Sequence, residues 1–429
     1  MKVIVIGSGL IGLTTAYFLK QRGHDVTVID RRDGPGRETS FANGALLTPS
    51  MPEPWNAPGC WRVLLGSLGR SDAPLQLRLT ALPSLMGWGV TFLRNSAPAA
   101  FERNTLANVR LALYSLRVMS DLREHTAIDY GRTACGTLKV FRSAAALNKA
   151  LTAAERLRAE GLTFRRLSGR ETVEVEPALA PIVDQLTGAI RYRADETGDA
   201  YRFCLALAEH LWQRRVEFRF RAQVSSLEVR SGQVVAVHSE SESGPERLIA
   251  DRYVLAAGSY GTALLRPLGI RLPVRPAKGY SVTFDSPPRS GPGGTARSAL
   301  TIPVVDDDMH AAIVPVGDAI RVAGTAEFAG FDLSIRPERV RNLMNLAQRI
   351  LPMADLDPAT AKPWCGLRPM SADGVPIIGP TPISNLWVNT GHGHLGWTMA
   401  AGSGELLADL MSEASPAIDP APYDLKRFR

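Results

Sequence analysis

The hydrophobic pattern of the first thirty residues predicts a strand, a helix and a second strand. Two short runs rich in β-branched residues, Val3 to Ile6 and Val26 to Ile29, flank a helical stretch from Thr14 to Gln21. Runs of this length and composition are typical of strands buried in a sheet. We therefore predict a βαβ unit at the start of the chain.

Beyond this unit, apolar residues recur at helical spacing in several stretches, separated by short runs typical of strands. The predicted helices cover residues 99–126, 143–160, 201–214, 337–351 and 399–412. The predicted strands cover residues 136–141, 188–192, 216–220, 224–229, 234–238, 247–251, 253–259, 280–284, 300–304, 310–314 and 320–323. We expect strand 253–259 to lie beside the βαβ unit, and the strands between residues 273 and 336 to form an antiparallel sheet. Residues 50–98, rich in proline and tryptophan, predict an irregular excursion.

Three glycines follow the first predicted strand with the spacing of a dinucleotide-binding turn. Gly7 permits the tight turn, Gly9 lets the backbone approach a pyrophosphate, and Gly12 lets helix and strand pack closely. Asp30 ends the second strand about 20 residues on, where a carboxylate can bind a ribose. The motif does not distinguish FAD from NAD, and the two arginines after Asp30 leave a 2′-phosphate open. A unit whose glycines serve only the turn is the alternative.

The composition is that of a folded protein with more than one domain. The chain has 429 residues, 45% of them apolar and 21% charged, and no apolar stretch reaches bilayer-spanning length. The net charge of +7 comes without a basic run interleaved with aromatics, so we expect no nucleic-acid partner. Four scattered cysteines predict a reduced, cytoplasmic chain without a metal site. Peripheral contact with the anionic inner face of the plasma membrane stays open, as does the oligomeric state.

A second stretch rich in small and hydroxyl residues runs from Thr39 to Thr48. Such residues can line a cofactor with backbone and short polar groups. The alternative is an ordinary helix start, because Thr39 or Ser40 would serve as its N-cap. The residues alone leave both interpretations open.

Several segments, taken in order, resemble the D-amino acid oxidase-like superfamily of FAD oxidoreductases, and within it the small subunits of bacterial D-amino acid dehydrogenases. The resemblance runs nearly end to end and is far more specific than the glycine motif. Its markers are the segments 28–31, 38–40 with Asn43, 195–199, 218–220, 258–260, 278–281, 366–370, 389–393 and 395–400.

The resemblance implies an α/β fold. A Rossmann-like FAD-binding domain of the p-hydroxybenzoate hydroxylase-like type would carry an inserted α+β substrate domain, built on an antiparallel sheet. The FAD-binding domain would be discontinuous, covering residues 1–50, 197–272 and 361–429. The substrate domain would cover residues 51–196, which include a helical excursion, and residues 273–360.

The same resemblance implies FAD, and we expect it to be held non-covalently. Val224 would meet the adenine side through its backbone, and Gly258 the pyrophosphate. Residues 391–398 would lie along the flavin pyrimidine edge, where a helix dipole favours the charge gained on reduction. The full predicted set is Gly7, Ser8, Gly9, Leu10, Ile11, Gly12, Asp30, Arg31, Arg32, Thr39, Ser40, Asn43, Gly44, Ala45, Val224, Ala257, Gly258, Arg368, Gly391, Gly393, His394, Leu395, Gly396, Trp397 and Thr398.

For the substrate, the resemblance implies an arginine that pairs with the amino acid carboxylate, and Arg368 matches it. A guanidinium fork suits a carboxylate bidentately, whereas a structural salt bridge is the alternative use of Arg368. Tyr280, His310 and His394 complete the predicted substrate site, and a half-buried strand tyrosine is the alternative for Tyr280. No acid or base catalyst is expected. Cys365 lies near the region where related sarcosine oxidases tether their flavin, but the register differs, so we expect a buried thiol.

The implied activity is FAD-dependent oxidative deamination of D-amino acids to imino and 2-oxo acids, with electrons passed to a quinone or an artificial acceptor. The sequence departs from the family at Met309-His310 and in the loop after Asn43, which leaves open the preferred side chain of the substrate. Cyclic substrates such as D-proline or hydroxy-D-proline are one alternative. One rival is a hydrogen-peroxide-forming oxidase of glycine, sarcosine or a D-amino acid. Others are a flavin-binding subunit inactive outside its hetero-oligomer and a flavin-free pyridine-nucleotide dehydrogenase.

Overall fold

The computed structural model describes residues 1–66, 75–285, 300–352, 354 and 356–428. Parts of the predicted excursion (50–98) and of the predicted antiparallel region (273–336) lie outside these residues. The α-helices α1 to α10 are, in chain order, Leu10–Gln21, Cys60–Gly66, Leu82–Arg94, Pro98–Thr126, Ala144–Arg156, Gly169–Val175, Ala200–Gln213, Gly261–Leu265, Pro337–Ile350 and Gly396–Met411.

The strands form two large sheets and two small ones. Strands β1 to β20 are, in chain order, Lys2–Ile6, Asp25–Ile29, Leu46–Leu47, Leu75–Leu77, Thr137–Phe141, Arg165–Ser168, Gly188–Tyr192, Glu196–Thr197, Glu217–Arg219, Gln223–Arg230, Gln233–Ser241, Gly244–Leu248, Arg252–Leu255, Val274–Asp285, Val304–Asp306, Ala311–Val316, Ala319–Phe328, Lys362–Ser371, Ile377–Pro380 and Leu386–Thr390. The predicted helices and most predicted strands are confirmed within a few residues. The second hairpin strand and the strand expected at 300–304 are displaced, to β12 and β15.

The first large sheet has six strands in the order β19-β20-β13-β1-β2-β9. Strand β1 pairs in parallel with both β2 and β13, which confirms the βαβ unit and the strand expected beside it. Helix α10 crosses α1 closely, because a Cβ at Gly404 would lie 2.7 Å from the backbone of Thr14. The Thr14 hydroxyl donates to the Ala400 carbonyl at 2.8 Å. This contact fixes the start of α10 relative to the glycine turn.

The second large sheet has nine strands, eight of them in the order β18-β14-β17-β16-β15-β5-β7-β6, and β4 pairs with β17. The strands described between residues 273 and 336 pair antiparallel, as predicted. The outer strand β18 pairs with β14 from Ser371 to Lys362. The prediction assigned residues 361–429 wholly to the FAD-binding domain. Their first strand belongs instead to the nine-stranded sheet, because ten consecutive residues of β18 are in register with β14.

Helix α4 also packs differently from its predicted assignment to the substrate domain. Its buried Leu111, Met119 and Leu122 belong to the apolar cluster that contains α1 and α10. The Ser115 hydroxyl accepts a hydrogen bond from the Gly402 backbone at 3.0 Å. Helix α4 therefore packs on α10, while its Val109 belongs to a second apolar cluster with strands of the nine-stranded sheet. Among the helices of the described ranges, none is long and apolar enough to cross a membrane.

Candidate active site

A cavity of about 1460 Å³ is lined by residues from both large sheets. Its walls include the glycine turn after β1, the small residues after β13, the middle of β14 and β17, and the start of α10. Sites for single small ligands commonly hold about 300–1,000 Å³. The cavity therefore has room for a dinucleotide and a small substrate together.

The glycine turn presents bare backbone to this cavity. Gly7 has a φ of +111°, and a Cβ at Gly12 would lie 1.8 Å from the Gly7 carbonyl oxygen, so both positions require glycine. A Cβ at Gly9 would approach only the Ser40 hydroxyl, at 3.3 Å, and would otherwise project into open space. That hydroxyl accepts a hydrogen bond from Leu10, the first residue of α1, at 3.2 Å. Ser40 therefore caps α1 from a distant loop, and the alternative of a helix starting at Thr39 or Ser40 is wrong.

Asp30 and the two arginines after it lie at the end of β2. The Asp30 carboxylate accepts hydrogen bonds from the backbone and the hydroxyl of Ser8, both at 2.7 Å. Arg31 and Arg32 both contact Glu38, at 2.5 and 2.6 Å. Because Glu38 neutralises part of this positive charge, the arrangement disfavours a 2′-phosphate.

Two further backbone segments complete the part of the cavity that fits FAD. Gly258 has a φ of +52° and no atom within 4 Å of the position of a Cβ, so the chain there also offers bare backbone. Helix α10 begins at Gly396 without a side-chain cap. Unbonded N–H groups and the dipole at such an end favour negative charge. The glycine turn, Asp30, Gly258 and this helix start match the chemistry of a flavin dinucleotide.

Arg368 on β18 brings a positive charge into the same cavity. One guanidinium nitrogen donates to the Thr325 carbonyl at 3.3 Å, and the guanidinium carbon lies 5.6 Å from the centre of the Trp55 ring. Among the described residues, no carboxylate lies within 4.0 Å of Arg368, so the salt-bridge alternative finds no support there. A Cβ at Gly279 would lie 1.9 Å from Arg368 Nη1, so glycine is required for the side chain to pass over β14.

Burial shifts the pKa values of the charged and titratable groups around Arg368. The pKa of Arg368 itself falls to about 10 because the guanidinium is removed from water. Desolvation by the cavity wall, with Arg368 contributing, lowers the pKa of His394 to about 4, although part of the side chain faces the open cavity. The His394 ring stacks against Trp55 with 5.8 Å between centres, and Nε2 lies 3.3 Å from the Met51 carbonyl. His394 is therefore neutral near pH 7, and Arg368 carries the positive charge.

Tyr280 borders the cavity, but its hydroxyl is engaged elsewhere. The hydroxyl donates to the buried Glu327 carboxylate at 2.9 Å. Glu327 also contacts Lys278 at 3.4 Å and forms an ion pair with Arg78. Burial, together with Glu327, raises the pKa of Tyr280. The phenol therefore serves a buried ion cluster, and a contact of Tyr280 with the substrate stays a prediction.

His310 lies in the turn between β15 and β16 with a φ of +47°, and it lines the cavity. Most of the residues predicted to bind the cofactor line the cavity: Gly7, Gly9, Leu10, Ile11, Asp30, Arg31, Thr39, Ser40, Asn43, Gly44, Val224, Ala257, Gly258, Arg368, Gly393, His394, Gly396 and Trp397. The others are not part of the lining: Ser8, Gly12, Arg32, Ala45, Gly391, Leu395 and Thr398. Trp397 and Thr398 also have structural partners, because the indole donates to the Gly198 carbonyl and the hydroxyl accepts from the Thr48 backbone.

Trp55 and Glu53 are among the cavity residues that the sequence analysis did not identify. Trp55 forms an aromatic wall between Arg368 and His394, and Glu53 lines the cavity with its pKa raised by burial. The only signal was their place in a proline-rich excursion. Cys365, by contrast, is a buried thiol as expected: it donates to the Leu333 carbonyl at 3.1 Å and is not part of the cavity lining.

Comparison with known proteins places this geometry among flavoenzymes. Residues 2–410 match the family model described as DAO: FAD dependent oxidoreductase. A D-amino acid dehydrogenase of Paramagnetospirillum magneticum (strain ATCC 700264 / AMB-1) is 42% identical over 430 residues, covering 100% of this chain and 99% of its own. L-proline dehydrogenase from P. horikoshii superimposes with a TM-score of 0.76 at 18% identity, covering 100% and 97% of the two chains. Glycine oxidase from Geobacillus kaustophilus gives 0.73 at 23%, covering 99% and 98%. At these identities the two structures support the fold alone.

Proposed function

The chain belongs to the DAO family of FAD dependent oxidoreductases, and from this premise we propose that it oxidises D-amino acids at the bond between the α-carbon and nitrogen. Its cofactor is FAD. A curated relative that matches it over the full chain is named D-amino acid dehydrogenase. The observation that carries the proposal is Arg368, a desolvated guanidinium without a carboxylate partner among the described residues, in the cavity that the glycine turn also lines.

Bound FAD would supply the two-electron acceptor for the hydride that leaves the substrate α-carbon. Gly7, Gly9, Asp30 and Gly258 would hold its dinucleotide part, through bare backbone and one carboxylate. The start of α10 would stabilise negative charge on the flavin ring. The residues of the chain thus contribute binding and electrostatics.

Arg368 orients the substrate in this proposal. Its guanidinium would pair with the substrate carboxylate, which is the partner that the described residues do not supply. The Trp55 ring, 5.6 Å away, keeps water from one side of that pair. A fixed carboxylate and a shaped wall hold the α-carbon in one orientation, which is catalysis by positioning. The amine must lose its proton first, and His394, neutral above about pH 4, adds no second positive charge.

The oxidised product is an imino acid. Water hydrolyses it to a 2-oxo acid and ammonia, whereas a cyclic imine keeps its nitrogen. We propose that the electrons leave to a quinone in a membrane, which the protein contacts peripherally. The rival is a peroxide-forming oxidase, and oxygen consumption measured against dye reduction separates the two.

An anaerobic panel of D- and L-amino acids tests the proposed function. The purified protein should be yellow, and heat or acid should release free FAD. Absorbance near the flavin maximum should bleach with D-amino acids, D-proline included in the panel, and not with their L-enantiomers. Equal bleaching by L-enantiomers, or bleaching by glycine and sarcosine alone, contradicts the proposed substrate class. A colourless, folded protein contradicts the cofactor.

A further inference from the structure

Helix α3 is apolar on two sides, and the residues that the structure describes cover only one of them. Leu85, Trp88 and Phe92 are buried against the nine-stranded sheet. On the other side, four apolar residues are 38% to 71% exposed and recur at spacings of three and four. These residues, the outer stripe, are Leu82, Met86, Val90 and Leu93. Because water-exposed helices are normally polar on the outward side, the outer stripe marks a surface that contacts something apolar.

A groove beside the outer stripe carries a surplus of positive charge. It encloses about 1690 Å³ between α3, the first turns of α4 and residues 262–276. Within the described chain, five of its arginines have no carboxylate within 4.0 Å. These residues, the arginine groove, are Arg94, Arg103, Arg266, Arg271 and Arg275. Of the two carboxylates that line the groove, Glu102 and Asp373, the second is held by Arg427 at 2.7 Å.

The stripe and the groove share an edge. Arg94 follows Val90 by four residues, so the two side chains are neighbours on the surface of α3. The positive charges of the groove also repel one another, since burial and the nearby Arg266 lower the pKa of Arg275. A ligand that supplies many negative charges next to an apolar layer would satisfy both features at once.

We propose that the outer stripe and the arginine groove together form the surface by which this protein lies on an anionic lipid bilayer. The apolar side chains enter the boundary between headgroups and acyl chains, and the arginines contact lipid phosphates. The inference deepens the proposed function, because the quinone that receives the electrons is dissolved in that bilayer.

The placement of this surface suits electron transfer to a lipid-soluble acceptor. Phe92 of α3 lines the catalytic cavity, as do Leu64 and Gly59 around α2. Trp61 of α2 is 48% exposed, and its neighbour Cys60 packs in the same apolar cluster as the buried side of α3. A helix with its side chains is only about 10 Å thick. The layer that closes the cavity is therefore the layer that would touch the membrane.

Co-sedimentation of the holoenzyme with vesicles tests the proposal. Wild type should bind vesicles that contain phosphatidylglycerol and bind neutral phosphatidylcholine vesicles weakly. Met86→Ser with Val90→Ser should lower the partition coefficient at least tenfold, since two partly buried apolar groups are lost. Arg266→Gln with Arg271→Gln should lower the partition coefficient about 25-fold on anionic vesicles, at roughly fivefold for each arginine.

Matched variants on other surfaces serve as controls. Leu205→Ser with Ile249→Ser changes two apolar residues that are 43% and 63% exposed elsewhere. Arg166→Gln with Arg170→Gln removes two exposed charges beside β6, at the edge of the nine-stranded sheet opposite β18. Both controls should bind vesicles like wild type.

Turnover separates this inference from the proposed function. The stripe and groove variants should reduce a soluble dye at the wild-type rate, because none of the four substituted residues lines the catalytic cavity, and should lose rate with quinone supplied in vesicles. Vesicle binding is measured without substrate, so an inactive protein still reports on the surface. The proposal would be overturned if the wild-type protein did not bind anionic vesicles, or if the stripe variants bound them like wild type. A stripe substitution that changes only the molar mass in light scattering would also overturn it, since the stripe would then join protein to protein.

Discussion

Replacing Arg368 is the sharpest test of the candidate site. The guanidinium touches the Thr325 carbonyl and the Trp55 ring, and within the described residues it has no carboxylate to neutralise it. In Arg368→Ala, a bound amino acid would leave its own carboxylate buried without a charged partner. Truncating one member of such a buried pair costs on the order of 3–5 kcal/mol.

That free energy converts directly into a rate. At about 1.4 kcal/mol for each factor of ten, kcat/KM for a D-amino acid should fall by about two to four decades. Arg368→Lys should recover only part of the loss, because an ammonium lacks the planar fork of two donors. Gly279→Ala offers an independent perturbation, since its Cβ would lie 1.9 Å from the guanidinium and displace it. We expect Gly279→Ala to lower kcat/KM, as Arg368→Ala does.

The unfolding temperature gives the control. Burial lowers the pKa of Arg368 to about 10, below the ordinary value of an arginine, so the fold disfavours this charge. A basic group whose pKa is lowered on folding destabilises the folded state wherever it is charged. Arg368→Ala should therefore keep or raise Tm, whereas loss of a structural ion pair would lower it.

The assay is steady-state dye reduction with a D-amino acid and with its amide, which has no carboxylate. Wild type should turn over the amide poorly, and Arg368→Ala should slow the amide little further. FAD content, measured by absorbance after heat release, should match wild type. An equal loss for acid and amide, or a variant that is purified without FAD, would refute the role of Arg368 as the carboxylate anchor.

Three further changes test the remaining assignments. Gly9→Val should lower FAD content while the FAD-free protein keeps its Tm, whereas Gly12→Ala should lower both, because a Cβ there would lie 1.8 Å from backbone; equal Tm values would contradict this. Tyr280→Phe should lower Tm by several degrees and spare kcat/KM, since its hydroxyl serves the buried Glu327; a selective loss of kcat/KM would instead support the predicted contact of Tyr280 with the substrate. Burial raises the pKa of Asp195 to about 7, so the contribution of this carboxyl to the free energy of unfolding falls as pH rises from about 4 to 7. Asp195→Asn should flatten Tm over that range, and an unchanged slope would count against the shift.

Local chemistry was sufficient to predict the cofactor half of the fold. A close backbone contact within a single βαβ unit requires one of the glycines after β1, since a Cβ at Gly12 would lie 1.8 Å from the Gly7 carbonyl oxygen. Signals of this kind are readable because both partners lie within a few residues of each other. The strand at Tyr253 was placed beside β1 for the same reason, since its small residues repeat the need for bare backbone near phosphate.

The part of the site predicted to hold the substrate depends on contacts between segments that are distant in sequence, and such contacts are harder to predict from the sequence. Tyr280 has the pattern of a pocket residue, yet the choice of face on β14 gives its hydroxyl to Glu327, 47 residues away. Trp55 lies in a stretch without helical or strand periodicity, so no pattern indicated that it would lie against Arg368. Strand β18, the C-terminal strand of the nine-stranded sheet, falls within the residues 361–429 that were predicted as part of the FAD-binding domain, because the local sequence does not specify which strand it pairs with.

The register between β14 and β18 explains how the side chain of Arg368 reaches the cavity. Gly279 pairs directly with Gly366, and Ala277 pairs with Arg368. The two glycines leave room above the sheet, which the side chains of Arg368 and Trp364 occupy. A slip of one residue would turn Arg368 to the opposite face, toward the ion cluster around Glu327. The charge of the cavity is therefore set by strand pairing, and the glycines are as necessary to the site as the arginine that they admit.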